Sequence, residues 1–247
     1  MIFTSTLSLI LALAPATLFA APTKTVDSIT NLIPRQDLPA GVLEALAKEN
    51  ALCDLSNVFL PVAPTPLAAP GAGNTLRHVA IGRGIQNYTC TGLTSSDAPK
   101  AIGAVASLFN ATCDAARLNV QTLSEVTKLA LNYAIPTSPE AEKRLSGRHE
   151  FTELGIPLFK LKTDTVNYGQ VQAKPDAIKS SAPKDASLGK NGMGSVLWLR
   201  LTATTDANWD YKEVYRVHTA GGMAPKTCDG ITGAFSVEYS AQYWFYA

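Results

Sequence analysis

AFSVEYSAQYWFYA, residues 234–247, decides how the chain is read. Phe235, Val237, Tyr239, Ala241, Tyr243 and Phe245 take every odd position, with Ser236, Glu238, Ser240 and Gln242 between them. This alternation requires a strand with one buried face, whereas a helix would scatter the rings around its circumference. Upstream, SVLWLRLTAT from Ser195 and DYKEVYRVHTAGGMAPKTCDG from Asp210 add apolar runs broken by turn residues. The class predicted is mainly β: a β-sandwich or flattened barrel with small helical additions.

The chain opens with MIFTSTLSLILALAPATLFAAP, uncharged, apolar and closing on small residues, which reads as a secretory signal over residues 1–20, cleaved after Ala20. A retained anchor is the alternative, but Pro15 and the small-residue boundary favour cleavage. No later run is long and apolar enough to span a bilayer. About 225 residues then remain, enough for a domain that buries roughly 70% of its unfolded surface. Residues 21–74 read as an N-terminal arm, a short helix from Ala40 with Leu43, Leu46 and Ala47 on one face, and the Pro-rich linker FLPVAPTPLAAPGAGNT. Within the arm, residues 22–38 show no period and read as a propeptide or a mobile segment. Residues 75–247 read as the β domain. With a net charge of +1 and no basic or acidic block, nucleic acid and anionic membranes are poor partners. An extracellular monomer is expected.

Four cysteines, Cys53, Cys90, Cys113 and Cys228, follow the signal. An even count in an exported chain favours two disulfides in one of three pairings, and a zinc site lacks its usual short ligand spacing. Two sequons, Asn87-Tyr88-Thr89 and Asn110-Ala111-Thr112, permit glycosylation at Asn87 and Asn110.

RHVAIGRGIQNYTCT, from Arg77, reads as the first strand of the domain. Val79, Ile81 and Ile85 share one parity while Tyr88 and Cys90 take the other, so a glycine bulge at Gly82 or Gly84 is expected, leaving Asn87 outward. AVASLFNATC fits strand or helix; a strand ending near Cys113 is expected, then a helical excursion with Leu123, Val126, Ala130 and Tyr133 at helical spacing. RHEFTELGIPLFKLKTDTVNYGQVQ reads as strand, turn and hairpin, and residues 173–194 as a long loop, functional or mobile.

GRGIQNYTC, GRHEF with GIPLF, VLWLRL, YRVHTAGGMAPKTCDG and VEYSAQYWFYA occur in that order. Together they resemble a family of secreted fungal and bacterial proteins, catalogued as domain of unknown function 3455, over roughly residues 75–247. The resemblance implies a secreted, mostly β domain without an assigned activity or catalytic set. It also implies that Cys90 pairs with Cys228, leaving Cys53 to pair with Cys113. Fungal members are sometimes labelled malate dehydrogenase. The sequence rejects that label, because GAGNTL at Gly71 follows a proline-rich loop and GRGIQN at Gly82 lies in a strand and lacks the third glycine.

Candidate chemistry is sparse. The three histidines, His78, His149 and His218, lie in strand-like segments and would have to converge to form an imidazole metal site; local hydrogen bonding explains each equally well, and no metal site is assigned. His149 with Glu150 is the candidate acid–base pair, with charge pairing at a strand edge as the plain alternative. No G-x-S-x-G elbow occurs, no free thiol is expected, and the carboxylates offer no means of choosing a glycosidase pair. HTAGGMAPKTCDG reads as a tight crossover pinned by a disulfide, or as a rigid loop lining a ligand site with Arg216 and His218 at its edge. Trp244 and Tyr246 have the parity opposite to the buried row; exposed, they would stack on sugar rings, although such rings also pack under loops or helices. The first functional expectation is an extracellular or cell-wall-associated glycoprotein module binding carbohydrate or protein. The second is an extracellular hydrolase or lyase, with or without metal assistance, acting through His149, Glu150 and His218. No cofactor is called for.

Overall fold

The computed structural model describes residues 53–247 apart from residues 93, 119, 136 and 140–144. The signal, the arm over residues 22–38 and the helix expected from Ala40 lie outside the described residues. The described residues form eight strands: β1 (Leu76–Cys90), β2 (Lys100–Asn110), β3 (Gly147–Phe151), β4 (Pro157–Lys162), β5 (Asn167–Ser180), β6 (Trp198–Ala203), β7 (Glu213–Gly221) and β8 (Gly233–Tyr246). Helices α1 (Thr112–Arg117) and α2 (Val120–Asn132) lie between β2 and β3. The protein is therefore mainly β with small helical additions.

Each strand pairs antiparallel with the next, and β8 returns to β1 from Leu76↔Tyr246 to Cys90↔Gly233. That last pairing closes the sheet, so of sandwich and barrel the chain takes the barrel, which removes exposed edges. The loops β1–β2, β3–β4, β5–β6 and β7–β8 all fall at one end, here called the loop end. The opposite end is closed by Tyr168, Trp209 and Tyr211 packed against the interior.

Two hydrophobic cores lie on opposite faces of one sheet. Ala80, Leu108, Phe159, Leu201, Tyr243 and Phe245 belong to the core that fills the barrel. Val79, Ile81, Trp198, Tyr215, Trp244 and Tyr246 belong to an outer core roofed by α2. Leu123, Val126 and Ala130 of α2 are buried there, as their spacing predicts, while Tyr133 lies beyond the helix and is exposed. The N-terminal strap, residues 53–75, completes the roof: Thr65 N–H donates to Ser180 Oγ at 2.9 Å, and Tyr215 O–H donates to the Ala68 carbonyl at 2.8 Å. Disulfides Cys53–Cys113 and Cys90–Cys228 staple the strap to α1 and the loop end to β1.

The double burial corrects several local expectations. β1 has no bulge at Gly82 or Gly84, where its register with both neighbours is continuous. Instead Val79 and Ile81 face the outer core while Ala80, Gly82, Gly84 and Tyr88 face inward. Gly82 is needed for space: a Cβ there would stand 2.6 Å from the Tyr243 ring. The segment AVASLFNATC is strand only to Asn110, and Cys113 lies in α1. Residues 173–180 continue β5 rather than forming loop, with Ala173 in the inner core and a register shift between Pro175 and Lys179.

Arg83 joins the barrel to α2. It is 1% exposed and points outward, beneath the C-terminal end of the helix. Its guanidinium donates to the carbonyls of Ala130, Leu131 and Tyr133, to Gly84 and Tyr239 in the sheet, and to the Glu238 carboxylate. A cation among the last carbonyls of a helix satisfies acceptors that the helix leaves unpaired and complements its dipole. Gln242, beside it on β8, donates to the Leu123 carbonyl and to Thr127 Oγ1, and accepts from Trp244 Nε1.

Candidate functional site

The candidate residues of the sequence do not form one site. His149 and Glu150 are consecutive in β3, so their side chains leave opposite faces of the strand. His149 enters the barrel and stacks on Phe159, ring centroids 4.2 Å apart, while Glu150 stays outside and pairs with Lys160. His218 lies outside as well, at a bulge where β7 carries one extra residue against β8; its φ is 46° and its ring meets Trp198 edge-on at 4.9 Å. His78 stacks on Tyr168 at the closed end, with Nδ1 bonded to Thr112 Oγ1. The acid–base pair and the shared imidazole centre are therefore not assembled, and among the described residues no three metal-ligating side chains converge.

Trp244 and Tyr246 are also corrected. They are 1% and 5% exposed, roofed within the outer core, so neither ring face is offered to a sugar. Their parity was read correctly, but that face of β8 is covered by α2 and the strap.

Arg216 has the surroundings of a site. On β7, Tyr215 and Val217 face the outer core while Val214 faces the lumen, which puts Arg216 on the lumen side. Register agrees: Arg216 lies opposite Leu199 of β6 and Tyr243 of β8, both inner-core residues. Its Nε donates to the Leu197 carbonyl at 3.1 Å. Unlike Arg83 and Arg200, which pair with Glu238 and with Asp176 and Glu213, Arg216 has no carboxylate within ion-pair reach among the described residues. It is half-buried towards the loop end, between the closed interior and solvent.

Its neighbours are phenols and one imidazole. Tyr239 and Tyr243 hydroxyls lie 2.8 Å apart. Burial raises the Tyr243 phenol above its ordinary range, opposed by the Arg216 charge and by hydrogen bonds from Arg216 and Tyr239. Burial likewise raises Tyr239 well above the usual phenol value, so both hydroxyls are neutral donors and acceptors at physiological pH. Burial, aided by the Arg216 charge and opposed by the hydrogen bond to the Leu158 carbonyl and by the Glu150 charge, pushes His149 down to about 4. Because that carbonyl can only accept, Nδ1 of His149 carries the proton in this 3.0 Å contact and Nε2 keeps its lone pair. Tyr88 faces in from β1, its O–H donating to the Gly222 carbonyl at 2.7 Å. Gly222 itself has φ 90°, and a Cβ there would meet Tyr239 at 2.8 Å, so the GG pair lets the chain turn tightly over the lumen.

The sequence named Arg216 and His149 for different roles but did not join them, and it missed Tyr239 and Tyr243 as polar groups. The signal was present in EVYRVH, where a charge holds the same parity as Val214. No curated protein and no solved structure matches the chain. The family described as protein of unknown function (DUF3455) matches residues 70–247, which takes in the whole barrel from ahead of β1, and the chain belongs to that family.

Proposed function

We propose that the protein is an exported binding barrel that holds a small anion at the loop end of its lumen. One observation carries the reading: Arg216 faces that lumen half-buried with no carboxylate partner, beside the paired hydroxyls of Tyr239 and Tyr243. A guanidinium loses hydration in such a wall and is ordinarily matched by an acid. Here the ligand supplies the match. Export is supported by the signal-like opening and by two disulfides, with a glycan on Asn87 as its companion. Binding is favoured over hydrolysis or elimination because His149 enters the barrel while Glu150 and His218 lie outside it, on β3 and β7.

Isothermal titration of the full-length mature protein with small anions, neutral oligosaccharides and amines, at low ionic strength, tests the reading. Anions bind, added salt weakens them, and Arg216→Gln weakens them about tenfold or more. Oligosaccharides binding the wild type and Arg216→Gln equally well, with no anion bound, would overturn it.

A further inference from the structure

We infer that the anion held at Arg216 is the carboxylate of a molecule with an apolar body; the inference rests on the reading of the loop end as an anion site. Three observations select that class. The first is charge. Around Arg216 the titratable groups are His149, Tyr88, Tyr239 and Tyr243, all neutral at physiological pH, so a single positive charge serves the site. A monoanion is balanced by it; a phosphate dianion would keep an unpaired charge against apolar walls.

The second is donor geometry. Nε of Arg216 is committed to the Leu197 carbonyl and one terminal N–H to the Tyr243 hydroxyl, which leaves the remaining terminal N–H donors. Of the Tyr239–Tyr243 hydroxyl pair, whichever donates to its partner leaves one O–H unspent. A guanidinium edge with one hydroxyl matches the two oxygens of a planar carboxylate. The Tyr88 O–H is already spent on the Gly222 carbonyl and one N–H of Gln86 on the Gly103 carbonyl, so fewer donors remain for a polyhydroxylated ligand.

The third is the path outward. Ala104, Val196 and Phe151 line the inner wall towards the loop end, with Gly84 adding no side chain. At that same end, Ile102, Leu154, Leu188 and Met223 are 50%, 86%, 63% and 40% exposed. They stand at the start of β2, on the β3–β4 turn and on the two loops that flank β6 and β7. Exposed apolar side chains at the end that holds Arg216 suit a ligand with one charged head and an apolar body.

Calorimetric titration of the full-length mature protein with sodium acetate, hexanoate and decanoate, with 1-decanol and with inorganic phosphate tests the inference. Affinity is expected to rise about two- to fourfold per methylene from hexanoate to decanoate, as each leaves water. Arg216→Gln weakens decanoate about tenfold or more, and Arg216→Lys, which keeps the charge without the planar edge, falls between. Lys190→Gln, which removes an exposed cation at the same end, leaves decanoate binding unchanged. Phosphate bound through Arg216, with carboxylate affinity flat in chain length, would overturn the ligand class and leave the anion site standing. Decanoate bound equally by wild type and Arg216→Gln, or decanol bound by wild type as tightly as decanoate, would overturn the class by showing an apolar site without a head-group anchor. No anion bound in an Arg216-dependent way would overturn the class and the anion site together.

Discussion

Replacing Arg83 tests whether the barrel and its helical roof are held by one side chain. Arg83→Met keeps the aliphatic stem and removes every donor. Glu238 is not stranded by the change, because Lys190 Nζ remains 2.8 Å from the same carboxylate oxygen. The cost therefore falls on the helix end, where the Leu131 and Tyr133 carbonyls lose the guanidinium that serves both. At about 1–3 kcal/mol for each acceptor left unpaired, partly relieved by water near exposed Tyr133, the loss is about 3 kcal/mol. For a domain of this size that lowers Tm by roughly 6–12 °C. Arg83→Lys, which keeps the ion pair but loses the fork, is expected to lose about half as much. Urea unfolding gives the free energy, and hydrogen exchange gives its location: α2 amides lose protection before those of β1 and β8. An Arg83→Met protein within about 1 kcal/mol of wild type, or one whose β1 and β8 amides open together with α2, would refute the account.

Acid should destabilise the protein before its carboxylates titrate. Burial depresses His78 to about 3, His149 to about 4 and His218 to about 4, all below the unfolded value near 6.5. As pH falls below about 6.5 the unfolded chain takes up protons that the folded one refuses, so stability falls with pH until about pH 4, by at most about 4 kcal/mol per pH unit while all three differ. A urea midpoint that stays flat between pH 6.5 and 4.5 would contradict this. Glycosylation should occur at Asn87 and not at Asn110. Asn87 faces outward and half-exposed with its Oδ1 held by Ser236, whereas Asn110 spends Nδ2 on the Tyr168 hydroxyl and Oδ1 on the Thr112 amide. Peptide mapping of folded protein from a eukaryotic secretory host checks both sites, and a glycan on Asn110 would sink the prediction.

Where one face of a strand was buried and the other wet, alternation was enough to read it. The odd row of β8, which alternates with the solvent-reaching Ser236 and Glu238, was legible on those terms, and the helical row of α2 by its own period, whereas the pairing of the four cysteines was implied by the family resemblance. Reading failed where both faces are buried. Val79 and Ile81 look like the inward row of β1 because they are the larger side chains, yet they face the outer core while Gly82 and Gly84 face the crowded interior. Trp244 and Tyr246 look exposed by parity because nothing in β8 announces that α2 and the strap will cover them. Arg216 was legible as a residue and not as a site. Its partners come from β3 and β8: Tyr243 stands opposite it on the neighbouring strand, but only barrel closure brings His149 across to them.

The two interior arginines divide the molecule's work between the faces of one sheet. Arg83 points outward and its donors are answered by helix, sheet and acid, so its environment is complete without any other molecule. Arg216 points inward and its backbone acceptor, the Leu197 carbonyl, takes Nε alone, so its terminal nitrogens meet only neutral hydroxyls before solvent. The outer core and the strap hold the strands from outside, and the Cys90–Cys228 disulfide clamps the β7–β8 loop to the end of β1. Stability of the wall therefore does not depend on satisfying Arg216 from within. A half-buried cation can remain unmatched there because the fold is secured elsewhere, and an unmatched cation is what gives an entering carboxylate something to bind.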